Sequence, residues 1–159
     1  MRFILLGSGK IAELVLVKPE FEGFIDQNLI AIAGTEGLLK FAQERYKNFD
    51  STKTINIGEK IHTEKALSEL IKTTDVDFVL SIQSPWILSG EFLRLASHRV
   101  LNLHNARLPD YRGHNSISHE ILNGESEHTT TLHWVDEEVD RGQIVATRSI
   151  PIKDDDTAY

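Results

Sequence analysis

The sequence predicts an α/β fold, in which a mostly parallel sheet carries helices on both faces and ends in a β-hairpin. Short apolar runs of strand length alternate with longer segments whose apolar residues recur at helical spacing. After residue 125 this pattern gives way to alternating sequence that is rich in β-branched residues. Because helices that connect successive strands favour a parallel sheet, the first part of the chain is predicted to be Rossmann-like.

Each element of the parallel part has a local reason in the sequence. The strands are apolar runs that end at a glycine or at polar residues, and the helices have apolar residues at helical spacing. In chain order we predict a strand at 2–7, a helix at 10–17, a strand at 28–34, a helix at 38–46, a weak strand at 52–58, a helix at 63–74, a strand at 76–83, a short helix within 85–98 and a strand at 100–104. Thr63 can cap the helix that it begins, because its hydroxyl can accept a hydrogen bond from the first turn.

The last part of the chain predicts a hairpin. TTTLHWVD at 129–136 alternates apolar and polar residues, and QIVATRSIPI at 143–152 follows a DRG turn. A chain of 159 residues has room for one sizeable core, so residues 1–159 are predicted to form a single domain.

Composition narrows the classes of function. There are 17 Lys and Arg against 24 Asp and Glu, a formal charge of −7, and no basic run, which disfavours a nucleic-acid partner but permits a small anionic ligand. Without cysteine there are no disulfides, thiolate zinc sites or cysteine nucleophiles. The apolar runs are too short for a signal peptide or a membrane span, so we expect a soluble, cytoplasmic protein with no membrane partner.

The glycine-rich stretch GSGK at 7–10 allows two interpretations. A Walker loop would need glycine where Ile4 stands and Ser or Thr where Ile11 stands. A dinucleotide fingerprint would have its third glycine near Ala12, which is a tolerated replacement. The loop is therefore either the ordinary first turn of an α/β sheet or a site for a phosphate or a nucleotide tail.

A candidate catalytic group lies at the carboxyl end of the strand VLNLH. Asn102 and His104 are two residues apart, so they point to the same side of the strand, where open α/β sheets bind ligands. An amide and a protonated imidazole both suit an oxygen that gains negative charge when a carbonyl is attacked. Asp136 or Asp140 of the hairpin turn can stabilise the charged imidazole and relay a proton, and periodicity does not choose between them.

Two other interpretations of these residues stay open at this point. The acidic turn can simply be solvated, while His104 caps a strand end. His104, His133, Asp136 and Asp140 can also form a metal hydrolase site, although no histidine pair has the helical spacing of H-E-x-x-H. We predict surface or capping roles for the remaining histidines, which are His62, His98, His114, His119 and His128.

Five pieces in register resemble the formyltransferase family, whose members use 10-formyltetrahydrofolate to formylate glycinamide ribonucleotide, methionyl-tRNA or sugar nucleotides. They are Asn-x-His at 102–104, LPDYRG at 108–113, NG at 123–124, TLH at 131–133 and DEEVDRGQIV at 136–145. The resemblance implies that 10-formyltetrahydrofolate is the co-substrate and that no metal takes part. It also assigns this chain to the fold of the family's N-terminal domain.

Residue by residue, the resemblance implies a catalytic trio of Asn102, His104 and Asp140, with His133 in support. It implies that the folate pterin lies against SPWILS at 84–89 and against the loop 136–140. The implied folate-binding residues are Trp86, Ile87, Leu88, Asp136, Glu137, Glu138 and Val139.

The resemblance also implies the acceptor substrate. Asn105 and Ala106 stand where the purine and tRNA branches usually have Pro-Ser, and HNARLPDYRGHNSISHEILNG is most similar to enzymes that formylate dTDP-linked amino dideoxy sugars. A methionyl-tRNA or glycinamide ribonucleotide formyltransferase, or a non-catalytic folate- or nucleotide-binding module, are the alternatives. Relatives continue beyond the position of Tyr159 with chain that often adds substrate or dimer contacts. The C-terminal portion is therefore expected to be absent from 1–159, and a homodimer is compatible with the resemblance.

Overall fold

A computed structural model describes residues 1–45, 53–58 and 60–157, which contain seven strands and six helices. The strands are β1 (Phe3–Gly7), β2 (Leu29–Gly34), β3 (Thr54–Asn56), β4 (Phe78–Ile82), β5 (Val100–His104), β6 (Glu127–Trp134) and β7 (Ile144–Pro151). The helices are α1 (Gly9–Val17), α2 (Pro19–Asn28), α3 (Glu36–Arg45), α4 (Lys60–Thr73), α5 (Gly90–Leu95) and α6 (Ser116–Leu122). Across the described ranges, no helix has both the length and the apolar character that a membrane span requires.

The strands form one sheet in the order β3-β2-β1-β4-β5-β6-β7. The pairs from β3 to β5 are parallel, and β6 and β7 add an antiparallel hairpin at the edge. This confirms the predicted fold class, a mostly parallel sheet with a C-terminal hairpin. From β1 the chain adds β2 and then β3 on one side, and it then crosses to β4 on the other side of β1. The strand order therefore reverses between β1 and β4, beside the ends of β4 and β5.

Helices cover both faces of the sheet. Successive side chains of a central strand therefore pack in two different hydrophobic clusters, one on each face. Phe3 and Leu5 of β1 pack in one cluster with residues of α1, α2 and α3. Ile4 and Leu6 pack in the other cluster with residues of α4 and α5. Burying a side chain of this size stabilises the fold by about 1.5–3 kcal/mol. Val100 of β5 belongs to the second cluster. Because side chains alternate along a strand, the even-numbered residues of β5 lie on the face covered by α4 and α5.

Three local predictions differ from the structure. Helix α4 begins at Lys60, and Thr63 is 2 % exposed inside it, so the prediction that Thr63 caps this helix is wrong. Helix α2, which starts with Pro19, and helix α6, which follows Asn115, were not predicted from the sequence. The ends of two predicted elements, at Tyr46 and Thr52, lie outside the described residues.

Candidate functional site

Three neighbouring strands place Ser81, Asn102 and His133 in one row across the sheet. Asn102 of β5 is in register with Ser81 of β4 and with His133 of β6. Ser81 and Asn102 lie two residues after buried members of the α4–α5 core, so they are on that face of the sheet. The Nδ2 atom of Asn102 lies 3.2 Å from Nε2 of His133, so the pairing of β5 and β6 fixes the carboxamide.

His104, the last residue of β5, is 8 % exposed, and both of its ring nitrogens face polar atoms. Its Nε2 donates to the carbonyl oxygen of Tyr111 at 2.7 Å, since a carbonyl can only accept. Its Nδ1 lies 3.7 Å from Oδ2 of Asp140. Nδ1 is therefore the nitrogen that can meet a substrate atom, and protonation at Nδ1 makes the ring a cation beside a carboxylate.

Asp140 is the aspartate that meets His104, and Asp136 is not. The Oδ2 atom of Asp140 accepts a hydrogen bond from the backbone N–H of Gly113 at 2.8 Å. Its main chain has φ 51°, a left-handed conformation that costs a non-glycine residue about 1 kcal/mol or more and is common at functional sites. Arg112 Nε holds this conformation by donating to the Asp140 carbonyl oxygen at 3.2 Å. Asp136 is exposed and accepts from the backbone of its neighbour Glu137 at 2.6 Å.

The electrostatics of the site favour an ionised Asp140. Burial opposes ionisation and is the largest single effect on this carboxyl. The nearby His133 ring, whose Nε2 lies 3.6 Å from Oδ1, the hydrogen bond from the Gly113 backbone and the favourable interaction with the His104 ring outweigh it and lower the pKa of Asp140 below its ordinary value. The site therefore holds a carboxylate at neutral pH.

His133 links the amide of Asn102 to the carboxylate of Asp140. Its side chain is buried, and its Nδ1 donates to the carbonyl oxygen of Trp134 at 2.8 Å. Its Nε2 lies 3.2 Å from Asn102 Nδ2 and 3.6 Å from Asp140 Oδ1. The Trp134 carbonyl is also the reason for glycine at 142, since any Cβ there would overlap that oxygen.

A cavity of about 810 Å³ opens beside the trio, and Asn102, His104 and Asp140 all line it. Five of the predicted folate-binding residues line the same cavity, namely Trp86, Ile87, Leu88, Asp136 and Val139. Glu137 and Glu138 are not among the lining residues. Glu137 accepts a hydrogen bond from Arg94 at 3.0 Å, and Glu138 forms an ion pair with Arg141 at 2.9 Å, so the structure places both carboxylates in ion pairs. The folate-binding roles of all seven residues stay predictions.

Several lining residues were not predicted from the sequence. They are Lys60, Ser81, Gln83, Asn105, His114 and Asn115 among others. His128 was also placed wrongly: the sequence interpretation gave it a surface or capping role, whereas its Nδ1 lies 2.5 Å from Oε2 of Glu120, a residue 1 % exposed. The pair could not be predicted from sequence periodicity, because Glu120 lies in helix α6, which the apolar pattern does not predict.

The backbone of the loop at 7–10 requires glycine at positions 7 and 9. A Cβ at Gly7 would lie 2.5 Å from the carbonyl oxygen of Ile82, and Gly9 has φ 69°. The Ser8 hydroxyl donates to the carbonyl of Gln83 at 2.6 Å, so β1 and β4 are joined at the first turn. The loop is not among the residues that line the cavity, and a role in binding phosphate stays a prediction.

Within the described ranges, no three His, Cys, Asp or Glu side chains are grouped so that they could hold a metal ion. His104, His133 and Asp140 do lie together, but Asp136 is turned to its own loop. The metal hydrolase interpretation therefore has no ligand set in the described part of the chain.

The fold and the site together define a class of protein, a Rossmann-like α/β protein with an amide, an imidazole and a carboxylate around one cavity at the carboxyl ends of its strands. A sequence model described as formyl transferase matches residues 8–159, so the chain belongs to the formyl transferase family. The family resemblance inferred from the motifs is thereby confirmed.

Individual relatives come from different branches of the family. GDP-perosamine N-formyltransferase of Brucella melitensis is 40% identical over 85 residues, which are 54% of this chain and 33% of the relative. Methionyl-tRNA formyltransferase of Listeria monocytogenes is 33% identical over 98 residues, 62% of this chain and 31% of the relative. The chain thus spans about a third of the length of these curated relatives. The crystal structure of phosphoribosylglycinamide formyltransferase from Anaplasma phagocytophilum superimposes with a TM-score of 0.82 at 24% identity, covering 99% of this chain and 75% of that one.

Proposed function

We propose that the protein transfers the formyl group of 10-formyltetrahydrofolate to the amino group of a nucleotide-linked amino sugar. The observation that carries the proposal is the convergence of Asn102, His104 and Asp140 on one cavity, with Nδ1 of His104 3.7 Å from the Asp140 carboxylate. This is the donor set that a reacting acyl oxygen requires, since an amide and a cationic ring meet the oxygen while a carboxylate stabilises the cation.

The cavity suits 10-formyltetrahydrofolate in size and chemistry. Its volume of about 810 Å³ falls within the usual range of small-molecule sites. Trp86, Ile87 and Val139 give it an apolar wall, against which a flat heterocycle can pack, and the polar trio lies at another part of the same cavity. When bound, 10-formyltetrahydrofolate supplies an activated formyl group on N10.

The three residues of the trio have different roles in the proposed reaction. The acceptor amine forms a bond to the formyl carbon, the bond from that carbon to N10 breaks, and one proton passes from the acceptor nitrogen to N10. Asn102 Nδ2 and His104 Nδ1 donate to the formyl oxygen as it gains negative charge. Asp140 stabilises positive charge on His104 and, directly or through one water molecule, carries the proton between the two nitrogens.

One observation supports a sugar acceptor, and a second argues against tRNA. The relative that is 40% identical is by name a GDP-perosamine N-formyltransferase. The formal charge of −7 is unsuited to tRNA, whose binding would require a basic surface. The prediction of a dTDP-linked sugar was made from the sequence, and a GDP-linked sugar is the alternative that this relative suggests.

A transfer assay tests the proposal. The protein is incubated with 10-formyltetrahydrofolate and, separately, with GDP-perosamine, a dTDP-linked amino dideoxy sugar, glycinamide ribonucleotide and methionyl-tRNA, and the formylated product is detected by mass spectrometry. We expect product with a nucleotide sugar. His104→Gln and Asn102→Ala should each lower turnover roughly a hundred- to a thousandfold, whereas His119→Gln, an exposed imidazole on α6, should not. Near-normal turnover in the first two variants contradicts the proposal.

Calorimetry separates catalysis from simple binding. If the protein binds folate and a nucleotide sugar but forms no formylated product, it is the non-catalytic binding module that the sequence left as an alternative. If methionyl-tRNA or glycinamide ribonucleotide is formylated instead, the class of reaction stands and the acceptor is wrong.

A further inference from the structure

A second histidine–carboxylate pair lies behind the cavity, and the proposed reaction does not use it. Glu120 of α6 is 1 % exposed, and its Oε2 lies 2.5 Å from Nδ1 of His128 on β6. Its Oε1 accepts from the backbone N–H of Arg107 at 3.2 Å. A carboxylate this deeply buried is stable only when it is paired and hydrogen-bonded, so the His128 ring and the Arg107 amide hold it in place.

The pair continues to a residue that lines the cavity. Nε2 of His128 lies 3.0 Å from Oδ1 of Asn105, and the hydroxyl of Thr130 donates to the same oxygen at 3.3 Å. The His128 ring thus contacts Glu120 through Nδ1 and Asn105 through Nε2, and the amide oxygen of Asn105 can only accept a hydrogen bond. The Asn105 oxygen then has two donors, which fixes the rotation of the carboxamide.

The amide nitrogen of Asn105 is available for a further hydrogen bond. No hydrogen bond joins Nδ2 of Asn105 to the described residues, while no buried side-chain nitrogen or oxygen among those residues is left without a partner. Nδ2 is therefore accessible, and Asn105 lines the same cavity as its neighbour His104. The fold thus presents a fixed N–H donor directly after the catalytic histidine in sequence.

We propose that Asn105 binds the acceptor substrate by donating a hydrogen bond from Nδ2 to an oxygen atom beside the reacting amine, with Glu120 and His128 as positioning residues that fix this orientation. The inference rests on the proposed function and names its acceptor-binding contact. Asn102 and His104 already serve the formyl oxygen, so a further donor fits the other substrate. An oxygen-rich acceptor such as an amino sugar on a nucleotide offers the hydroxyl or phosphate oxygens that this amide needs.

Isothermal calorimetry with GDP-perosamine and with a dTDP-linked amino dideoxy sugar tests the contact without requiring turnover. Asn105→Asp keeps the oxygen that His128 and Thr130 hold and removes the donor. We expect it to weaken acceptor binding roughly two- to tenfold, the usual effect of one hydrogen bond, with folate affinity unchanged. Asn123→Asp adds the same charge outside the cavity and is the control.

The positioning role has its own variants. His128→Leu removes both donors and should weaken acceptor binding as Asn105→Asp does, whereas His128→Gln, which places an N–H near the position of Nε2, should restore part of it. If His128→Leu fails to fold because Glu120 loses its partner, the acceptor affinities of His128→Gln and Asn105→Asp decide whether the inference holds.

Nuclear magnetic resonance of the ¹⁵N-labelled protein tests the orientation of the Asn105 amide directly. We expect the Asn105 side-chain amide signals to shift when the acceptor is added. Side-chain amide signals of Asn105 that do not respond to the acceptor would overturn the inference. So would equal acceptor affinity in the wild type and Asn105→Asp, or binding of neither sugar nucleotide. Failure of formyl transfer with these contacts intact counts against the proposed reaction alone.

Discussion

Replacing Asp140 by asparagine tests whether the charge of this residue, and not only its shape, drives the proposed reaction. Asparagine has nearly the same volume, and its oxygen can still accept from the Gly113 N–H, which lies 2.8 Å from Oδ2 in the wild type. The substitution therefore preserves the loop and removes one negative charge from beside His104. We expect slower turnover with little change in folate or acceptor affinity.

The distance between the two groups sets the size of the effect. At 3.7 Å and an effective dielectric constant of about 20, the Coulomb attraction between a carboxylate and a positive charge on His104 is about 4 kcal/mol. Water that enters the cavity screens part of this interaction, so the full value is an upper limit. A fall in kcat on the order of a hundred- to a thousandfold is expected, comparable to the loss of one oxyanion donor.

Single-turnover measurement of tetrahydrofolate release isolates the chemical step in this comparison. Asp26→Asn is the control, because it removes the same charge at an exposed position of α2 outside the cavity. Its effect should stay within a few-fold, since exposed charges are strongly screened by salt. If Asp140→Asn keeps wild-type kcat, or if Asp26→Asn slows the reaction equally, the electrostatic role given to Asp140 is refuted.

Three further outcomes are expected. Gly142→Ala should lower the free energy of unfolding by about 1–3 kcal/mol, since the added Cβ would overlap the Trp134 carbonyl. Gly37→Ala, at an exposed position of α3, should be neutral or stabilising. Urea denaturation measures both variants, and equal effects on stability would contradict the predicted overlap. Because the pKa of Asp140 is lowered in the folded chain, its ionisation stabilises the fold at neutral pH and this stabilisation is lost from about pH 5 downward. The stability difference between wild type and Asp140→Asn should therefore shrink on acidification, and a constant difference would argue against it. Leu67→Ala, at a fully buried position, should cost about 2–5 kcal/mol, and a loss below 1 kcal/mol would show that the core collapses around it.

The fold could be predicted from the sequence wherever apolar periodicity is strong. All five residues of β1 are buried, so an uninterrupted apolar run marks the central strand. Helix α2 gives almost no such signal, because Ile25 is the one buried hydrophobic residue among the α2 side chains that the structure describes. In α6 the buried residues are Ser116 and Glu120, which are polar, so hydrophobic patterning cannot find the helix. Tertiary contacts, rather than local preference, determine these two elements.

The site could be predicted in part for a similar reason. Alternation along β5 places Asn102 and His104 at the strand end, and the structure brings both to the cavity. The choice of Asp140 over Asp136 depends on a left-handed backbone and on a hydrogen bond from Gly113, 27 residues away, and neither follows from spacing. The family resemblance implies Asp140, the structure shows that Asp140 lies beside His104, and its catalytic role stays a prediction.

The two histidine–carboxylate pairs of this chain have different geometries, and the difference suits different tasks. His128 and Glu120 are in direct contact at 2.5 Å, a short charge-assisted hydrogen bond that holds both side chains in one orientation. His104 and Asp140 are 3.7 Å apart, close enough for charge stabilisation but too far for a hydrogen bond, so Nδ1 of His104 stays available to a substrate atom. In the proposal made above, the tight pair fixes its neighbour Asn105, whereas the loose pair can exchange its partner during the reaction. The same two residue types are thus proposed as a rigid support in one place and as the reactive centre in the other.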